Sequence, residues 1–352
     1  MNNYKNVFVT GSIAYDTIMN FPNEFQDYFH PEKLHQINVS FVVNKLEKQL
    51  GGTGTNISYN IALITNFKFL ISNQFQISND KFLNNEPQVK LLGSVGKDGK
   101  DFLNFFKKNK IDASGVIMDK ELYTSAGSVI TDTKNNQIWG FYYGASEKIP
   151  YIDFKKINKD TDLLVISANH QNSFLYFQRE AIKNKIPYLY DPGMTLTWIK
   201  DKDLETGVMN CRYLVGNDYE IAMILKRLKK TVREIAKHGV NVIITLGEKG
   251  VSYSSAVIPV KTGIQGNFSL DSRLRGNDNL LLVPGVKVSK MLDPTGAGDA
   301  WRGGFVAGLL MDYSTRDCLK LGNVMASFAI EKYGTVNHRP TKREIEKRLK
   351  DL

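Results

Sequence analysis

Apolar residues recur along the chain in short runs that alternate with amphipathic stretches. Runs such as residues 163–167 and 242–246 are almost wholly apolar, which is typical of strands buried on both faces. Amphipathic stretches with helical spacing, such as residues 100–109 and 218–228, lie between such runs. Strands and helices alternating at this spacing predict a parallel sheet covered by helices. We therefore expect one α/β domain over residues 1–352.

Alternation of apolar and polar residues predicts a second, smaller sheet. Residues 15–21 and 36–43 flank a Pro-containing loop and predict two antiparallel strands. Residues 125–133 and 136–143 flank a turn-prone Lys-Asn pair and predict a hairpin. Together they predict a small β-sheet lid, contributed by about residues 12–45 and 123–145.

Two stretches interrupt this organisation as inserts. Residues 66–86 are rich in Asn, Gln, Ser and Phe, and they separate a helix from a strand that a short connection would join. Residues 258–279 end in a Ser-, Arg-, Gly- and Asn-rich half with too few apolar residues for a packed core. Loop closure costs only about 0.6 kcal/mol per doubling of length, so we expect both inserts to be tolerated surface loops.

Composition excludes several classes of protein. With 352 residues, 42% of them hydrophobic, the chain can bury a large core and is neither disordered nor fibrous. The formal net charge of +10 comes from scattered lysines, which favours neither nucleic acid nor a membrane as a partner. The sequence has no apolar run of about eighteen residues, and Cys211 and Cys318 lack metal or disulfide spacing, so we expect a cytoplasmic protein.

The strongest chemical signal is a glycine-rich segment, residues 293–299 (DPTGAGD), directly before the apolar helical stretch 300–311. Glycines at a helix start leave backbone N–H groups free to point at one spot, where the helix dipole adds positive potential. Asp299 is then placed to take a proton from a hydroxyl that attacks a phosphate, although Asp is also a common N-cap. The amides of the predicted anion hole are those of Gly296, Ala297 and Gly298.

A second glycine-rich segment, residues 51–56 (GGTGTN), precedes another helical stretch. The paired Gly51 and Gly52 let a backbone approach a sugar closely, and the Asn56 amide offers both a donor and an acceptor to hydroxyl groups. Read alone, the pattern is equally that of an ordinary glycine turn. It is not a P-loop, because the Gly-Lys-Ser/Thr ending is absent.

Both segments resemble the signatures of the ribokinase family, also called the PfkB carbohydrate kinase family. Residues 293–299 resemble its D-T-x-G-A-G-D signature, with Pro294-Thr295 as a variant and Trp301 where Phe or Tyr is usual. The resemblance covers nearly the whole chain except the two inserts. It implies a ribokinase-like three-layer α/β/α domain with a mostly parallel sheet and a small β-sheet lid, and it implies Asp299 as the general base.

The resemblance also implies an acceptor site. Asp16, after the first strand, stands where the family binds vicinal sugar hydroxyls, although an Asp here is equally an ordinary turn residue. Residues 93–98 (GSVGKD) resemble a supporting strand and turn of the family, with Asp98 as a further candidate. The remaining residues of the implied acceptor site are Gly51, Gly52 and Asn56.

The nucleotide side rests on two shorter patterns. Residues 217–220 (NDYE) fit the family's N-x-x-E motif, in which Glu220 organises Mg²⁺-bound water near the phosphates; a first-turn helix Glu is the alternative. Residues 245–250 (TLGEKG) resemble its nucleotide-binding T-x-G-x-x-G. The residues that the resemblance assigns to ATP are Asn217, Glu220, Thr245, Gly247, Gly250, Asn323 and Ala326.

Residues 11–22 (GSIAYDTIMNFP) and 136–145 (NQIWGFYYGA) look most like the bacterial adenosine-kinase-like branch of the family. The resemblance therefore implies an ATP- and Mg²⁺-dependent enzyme that phosphorylates the 5′-hydroxyl of a small ribose-containing molecule, with adenosine preferred, as a monomer or homodimer. Two alternatives stay open. One is a ribokinase-like free-sugar kinase, and the other is a nucleoside- or sugar-binding protein that keeps the fold without turnover.

Overall fold

The computed structural model describes residues 4–29, 38–66, 88–134, 136–256 and 280–352. Its strands are β1 (Asn6–Thr10), β2 (Ala14–Asn20), β3 (Lys45–Gly51), β4 (Gln88–Val95), β5 (Asp112–Met118), β6 (Ser125–Thr131), β7 (Gln137–Tyr142), β8 (Asp162–Ser167), β9 (Tyr188–Asp191), β10 (Tyr213–Asn217), β11 (Asn241–Thr245), β12 (Val251–Ser254) and β13 (Leu280–Val283). Its α-helices are α1 (Thr53–Thr65), α2 (Lys100–Lys108), α3 (Gln171–Lys183), α4 (Asp201–Asn210), α5 (Asp218–Leu228), α6 (Val232–Lys237), α7 (Ala297–Leu310), α8 (Thr315–Ala329) and α9 (Lys342–Lys350).

Nine of the strands form one large sheet in the order β13-β12-β11-β10-β9-β8-β1-β4-β5. Neighbouring strands from β11 through to β5 are parallel, whereas β12 runs antiparallel to both β11 and β13. Every residue of β8 is buried, as its unbroken apolar run predicts for a strand covered on both faces. The prediction of a mostly parallel sheet is confirmed.

Helices cover both faces of the large sheet and divide the hydrophobic core in two. On one face, Val7 and Val9 of β1 pack in a cluster with α1, α7 and α8. On the other face, Leu164 and Ile166 of β8 pack in a cluster with α3, α4 and α5. Successive side chains of a strand point to opposite faces, so each central strand supplies both clusters. The predicted three-layer α/β/α arrangement is therefore confirmed.

The other four strands form a small sheet in the order β3-β2-β6-β7. Strands β6 and β7 are the predicted hairpin, and β2 pairs antiparallel with β3 but parallel with β6, so the sheet is mixed. Asp98 links this sheet to the large one, because its Oδ1 accepts hydrogen bonds from both N and Oγ1 of Thr124, each 2.7 Å long. This contact fixes the segment that leads into β6.

The strand predicted at residues 36–43 is wrong, since the described part of that stretch contains none. The antiparallel partner of β2 is instead β3, which begins just after the predicted stretch, at Lys45. Phe41 instead packs its ring on Phe21 and Phe25, with centroids 4.8 and 5.1 Å apart. Its apolar character belongs to an aromatic cluster, whereas β3 was missed because its Lys-, Glu- and Gln-rich sequence has no β-branched residue.

Helix α7 packs at backbone distance against helices on two sides. A Cβ atom on Gly303 would lie 2.3 Å from the Asn60 Cβ of α1, and one on Gly304 would lie 2.7 Å from the Leu321 carbonyl oxygen of α8. Glycine has no such atom, so the three helices can approach this closely. Helix α7 is therefore fixed between α1 and α8.

The predicted inserts, residues 66–86 and 258–279, lie outside the described residues except for Asn66, which ends α1. Strands β12 and β13 precede and follow the second insert and pair antiparallel, with Ser254 opposite Leu280. Among the residues that the structure describes, no helix has both the length and the apolar character needed to cross a membrane.

Candidate active site

Polar residues at the carboxyl ends of four neighbouring strands lie side by side. The register places Ser167 of β8 beside Asp191 of β9, and Asn217 of β10 beside Thr245 of β11. Arg302 of α7 bonds to Asp191, which brings the start of α7 to the same edge. Open α/β sheets bind ligands at the carboxyl ends of their strands, so this edge is the candidate active site.

The glycine-rich turn before α7 has the geometry of an anion site. Gly296 is the N-cap of α7 and has a φ of 76°, in the left-handed region that glycine favours. The Asp293 carboxylate fixes the turn by accepting hydrogen bonds from the N–H groups of Thr295 (2.9 Å) and Gly334 (3.0 Å). The first N–H groups of a helix have no partner inside it, so they are available to an anion.

The three predicted anion-hole amides are not equivalent. The Ala297 N–H donates to the Pro294 carbonyl oxygen at 3.2 Å and is therefore partly used within the turn. Gly298 lies against Arg302, since a Cβ atom on Gly298 would be 2.7 Å from the Arg302 Nη1. Gly296 and Gly298 are consequently the stronger candidates for anion binding.

Asp299 and Asn56, both predicted site residues, are in direct contact. The Asn56 Nδ2 donates a hydrogen bond of 2.8 Å to the Asp299 Oδ2. The Asn56 Oδ1 in turn accepts from the Thr335 Oγ1, also at 2.8 Å. Asn56 is buried, and these two hydrogen bonds fix the orientation of its amide and, through it, the orientation of the Asp299 carboxylate.

The pKa of Asp299 is raised to about 7, chiefly because burial penalises the charged carboxylate. Arg302 and the hydrogen bond from Asn56 lower this pKa, whereas the negative charges of Asp191 and Asp16 raise it. A carboxylate with a pKa near neutrality takes up and releases a proton readily at physiological pH, which is the property of a general base.

Asp16 of β2 faces the same region, and its position explains one of the paired glycines. A Cβ atom on Gly51 would lie only 2.0 Å from the Asp16 Oδ2, so only glycine leaves room for this carboxylate. Gly52 is the N-cap of α1, with a φ of 88°. The pKa of Asp16 is raised to about 6, first by burial and then by the negative charge of Asp293. Asp16 is thus part of an acidic neighbourhood that includes Asp299.

A cavity of about 450 Å³ opens beside Asp16. The small sheet forms one wall, and the loop that carries Asp293 and Thr295 forms another. Beyond Asp16 the lining offers aromatic rings, amides and charged groups of both signs, namely Asn20, Phe21, Asn44, Lys45, Glu47, Asp132 and Tyr333. The cavity lies in the volume range of small-molecule sites.

Asn217 and Glu220 form a capping box at the start of α5. The Glu220 N–H donates to the Asn217 Oδ1, and the Asn217 N–H donates to the Glu220 Oε2, each at 2.8 Å. Burial raises the pKa of Glu220, and the Asp191 charge adds to the rise. The positive charge of Arg302 lowers this pKa in part, and a further cation would lower it more.

Within the described ranges, no group of three or more His, Cys, Asp or Glu side chains is arranged to hold a metal ion. Mg²⁺ is usually bound by one or two carboxylates together with substrate phosphates and water. Glu220 therefore fits a Mg²⁺ ion that is carried by a nucleotide, and it does not fit an ion held by the protein alone.

The segment predicted to bind the nucleotide lies at the end of β11. Thr245 is its last residue, and Gly247 has a φ of 59° with open space where a side chain would be. Gly250, with a φ of 94°, closes the turn by accepting a hydrogen bond from the Leu246 N–H at 2.8 Å. The backbone of this turn can thus be approached by a ligand at Gly247.

The two residues predicted in α8 differ in what they offer. Asn323 is buried, its Oδ1 accepts from the Trp301 indole at 2.8 Å, and its Nδ2 donates to the Pro284 carbonyl oxygen at 2.7 Å. Its amide therefore ties α7 and α8 to the segment after β13. Ala326 is only partly buried and lies on the same helix.

Sequence reasoning missed three residues of the site. Asp191 and Arg302 form a buried ion pair of 2.5 Å, and Thr335 supports Asn56 from a loop near the C-terminus. The position of Asp191 directly after an apolar run was a usable signal, because such residues reach the ligand-binding edge of a parallel sheet. No local pattern marked the other two.

A doubly covered parallel sheet, a small sheet against a cavity and an anion-binding turn that leads to a carboxylate together define a ribokinase-like fold with a candidate phosphate site. The sequence profile described as pfkB family carbohydrate kinase matches residues 9–342. The chain therefore belongs to the PfkB family of carbohydrate kinases.

Proteins similar to this chain include nucleoside kinases and a ribokinase. The chain is 26% identical to a nucleoside kinase of Methanocaldococcus jannaschii, over 92% of this chain and 93% of that one. It is 26% identical to a ribokinase of Lactococcus lactis, over 75% of this chain and 80% of the relative. A nucleoside kinase of Burkholderia thailandensis, solved in complex with inosine, has the same fold with a TM-score of 0.75 and 24% identity, covering 98% of this chain and 97% of that one.

Proposed function

We propose that this protein is an ATP-dependent kinase that phosphorylates the 5′-hydroxyl of a ribose-containing nucleoside, with adenosine as the first candidate. The observation that carries the proposal is the hydrogen bond from Asn56 to Asp299, at the start of α7 and close to Asp16. It gives a fixed carboxylate of near-neutral pKa beside a turn suited to an anion. Phosphoryl transfer needs a positioned base together with charge stabilisation.

In this mechanism the Asp299 carboxylate accepts the proton of the attacking 5′-hydroxyl as the new O–P bond to the γ-phosphorus of ATP forms. The bond between that phosphorus and the bridging oxygen of ATP breaks, and ADP leaves. The amides of Gly296 and Gly298 and the dipole of α7 bind the negative charge of the transferred group. Asp16 accepts hydrogen bonds from the sugar hydroxyls, beside Gly51, Gly52 and Asn56. Mg²⁺ bound with ATP would neutralise charge on the phosphate oxygens, and Glu220 would hold it through water.

The nucleotide is proposed to lie along the ends of β10 and β11. Asn217 and Thr245 border it, Gly247 and Gly250 provide the turn, and Ala326 lines the side of the base. Asn323 shapes this region through its bonds to Trp301 and Pro284. The small sheet acts as a lid that excludes water from the reacting groups, so that ATP is not hydrolysed without an acceptor.

The choice of a nucleoside over a free sugar is supported by the cavity beyond Asp16. Its amides and aromatic rings match a base that both stacks and forms hydrogen bonds, whereas the charged groups Lys45, Glu47 and Asp132 already have partners in the described chain. The relative and the fold neighbour that are named nucleoside kinases point the same way. The relative named a ribokinase supports the free-sugar alternative.

A coupled assay of ADP release across adenosine, inosine, ribose and fructose tests the proposal. We expect kcat/KM for a nucleoside to exceed that for ribose by at least about a hundredfold, because contacts to the base contribute binding energy to the transition state. Equal or higher activity with ribose would identify a free-sugar kinase. No ADP release with any acceptor would favour a binding protein without turnover.

A further inference from the structure

Arg302 and Asp191 form an ion pair beneath the anion-binding turn. The Arg302 Nη2 lies 2.5 Å from the Asp191 Oδ1, and the side chains are only 7% and 4% exposed. The other Asp191 oxygen accepts a hydrogen bond of 2.6 Å from the Ser167 Oγ. Asp191 is therefore held from two sides, and it fixes the guanidinium in one place.

The guanidinium is directed toward the reacting groups. A Cβ atom on Gly298 would lie 2.7 Å from the Arg302 Nη1, so the cation lies directly against the backbone of the anion-binding turn. The Arg302 Nε is buried and has no hydrogen-bond partner within the described chain. The guanidinium is thus not fully satisfied by its structural partners.

Several charged groups on different elements act on Asp299 together with this cation. Asp16 of β2 and Asp191 of β9 disfavour the ionised carboxylate, whereas Arg302 of α7 favours it, as does the amide of Asn56 on α1. Arg302 also interacts favourably with Glu220 of α5. One buried guanidinium therefore serves three carboxylates.

Stability alone does not account for this pair. Burying two charges carries a desolvation penalty that their attraction often fails to recover, so apolar residues of similar volume would stabilise the fold as well or better. The Arg302 guanidinium instead lies against Gly298 of the anion-binding turn and acts electrostatically on the Asp299 carboxylate. The pair is therefore placed to affect phosphoryl transfer.

We propose that Arg302, clamped by Asp191 and Ser167, is a positioning residue that supplies positive potential beneath the Gly296–Gly298 turn and favours the charged form of the Asp299 carboxylate. The inference rests on the proposed kinase function. Asp191 then has two opposing effects on Asp299, because it holds the helpful cation in place and also contributes an unfavourable negative charge. Asp191→Asn separates these effects, because the amide oxygen of Asn can still accept a hydrogen bond from Arg302 while the unfavourable negative charge is lost.

The test compares Arg302→Met with Asp191→Asn in the full chain, by measuring kcat/KM against pH with the best acceptor and saturating ATP. Arg302→Met should move the acid limb upward by about one pH unit, because an opposite charge near the carboxylate is lost. Asp191→Asn should move it downward, because a like charge is lost. Arg302→Lys keeps the charge and should leave the limb near that of the parent while lowering kcat.

Both main variants break the same ion pair, so damage to the fold alone would affect them alike. Shifts in the same direction, or no shift in either folded variant, overturn the proposal. If a single variant fails to fold, the double variant Arg302→Met/Asp191→Leu removes both charges and leaves no unpaired buried ion. Parental kcat in that folded double variant overturns the proposal, and a kcat at least about tenfold lower supports it.

The parent protein separates the two levels of this test. If the parent releases no ADP with any of the acceptors, both the kinase function and the role of Arg302 fail. If the parent is active and the variants behave like it, only the role of Arg302 fails.

Discussion

The burial that raises the pKa of Asp299 lowers the stability of the folded protein at neutral pH. This pKa rises from an ordinary value of 3.8 to about 7, so the folded protein binds this proton more tightly than the unfolded chain does. The resulting stability is fully present below about pH 4 and is lost as the pH rises to about 7. At neutral pH the folded state therefore carries a penalty for the charged base.

Replacing Asp299 by Asn should separate activity from stability. We expect turnover to fall by about two to four orders of magnitude, the usual range for a lost base, while ATP and acceptor still bind. The melting temperature should rise above that of the parent at pH 8, because the buried charge is gone, and the difference should vanish near pH 4. Steady-state kinetics and thermal melts at both pH values check this. Near-normal turnover would remove Asp299 from the role of base.

Asp16→Ala should act on the acceptor and not on ATP. The carboxylate faces the cavity, so its loss removes hydrogen bonds to sugar hydroxyls, and we expect the acceptor KM to rise at least about tenfold. In the parent, the acceptor KM should also rise below about pH 6, where Asp16 becomes protonated. Thr17→Ala, on the opposite face of β2, is the matched control. Equal changes in both Michaelis constants would exclude this role.

The residues of the site differ in how far the sequence predicts them. Asp299 and Asn56 each lie in a glycine-rich segment next to a helix, which is a local pattern. Their hydrogen bond joins positions 243 apart, and no spacing in the chain predicts it. Thr335 and Arg302 follow no motif of their own, because Thr335 acts through Asn56 of α1 and Arg302 acts through Asp191 of β9, which are both distant in sequence.

Among the elements, β3 holds the small sheet against the loop that follows α8. The Gln49 Oε1 accepts a hydrogen bond of 2.6 Å from the Asn337 Nδ2, and the Lys45 ammonium lies 5.1 Å from the centroid of the Tyr333 ring. The Thr335 Oγ1 also lies 3.2 Å from the Leu50 carbonyl oxygen. These contacts join β3 to this loop, and Lys45 of β3 and Tyr333 of the loop both line the cavity.

Asn337→Ala should weaken the contact between β3 and the loop that follows α8. We expect a several-fold higher acceptor KM, a small change in kcat and more ADP release without acceptor, because water gains access to the phosphate. Asn210→Ala is the control, since among the described residues the Asn210 amide bonds only within its own helix, to the Thr206 carbonyl oxygen. ADP release without acceptor in both variants is the deciding measurement. Equal values in the two variants would show that the contact does not control water access.

Elements with a strong local pattern were predicted, and those shaped by distant contacts were not. The hairpin of β6 and β7 has alternating residues around a turn, and α5 matches its predicted bounds of residues 218–228. In strand β3, Lys45 and Glu47 line the cavity, whereas the Lys48 ammonium lies over the Tyr15 ring. The identity of β3 as a strand depends on pairing with β2, which a propensity for strands does not reveal.

The whole molecule was predictable in outline because buried parallel strands and covering helices leave a long, regular signal. The second predicted insert, residues 258–279, is not part of this regular signal. It lies between two strands that pair with each other, with Ser254 opposite Leu280. Replacing residues 260–278 by an Asn-Gly turn should leave kcat within a few-fold and the melting temperature nearly unchanged, because loop closure depends weakly on length.

A variant with a Gly/Ser segment of equal length in place of residues 260–278 is the control for length alone. Activity lost in a folded Asn-Gly variant but kept in the control would mean that the length of this segment matters. Activity lost in both folded variants would mean that its sequence reaches the nucleotide site. Either result would contradict its interpretation as a surface insertion.

The tight packing of α7 also bears on how acceptor preference can diverge among related proteins. Gly303 and Gly304 leave this helix no room to shift between α1 and α8, so the base and its turn are a fixed reference point. Adaptation to a new acceptor must then occur on the other wall, where side chains of the small sheet can be exchanged one at a time. Selection can thus retune which hydroxyl compound is accepted while the apparatus that transfers the phosphoryl group is inherited unchanged.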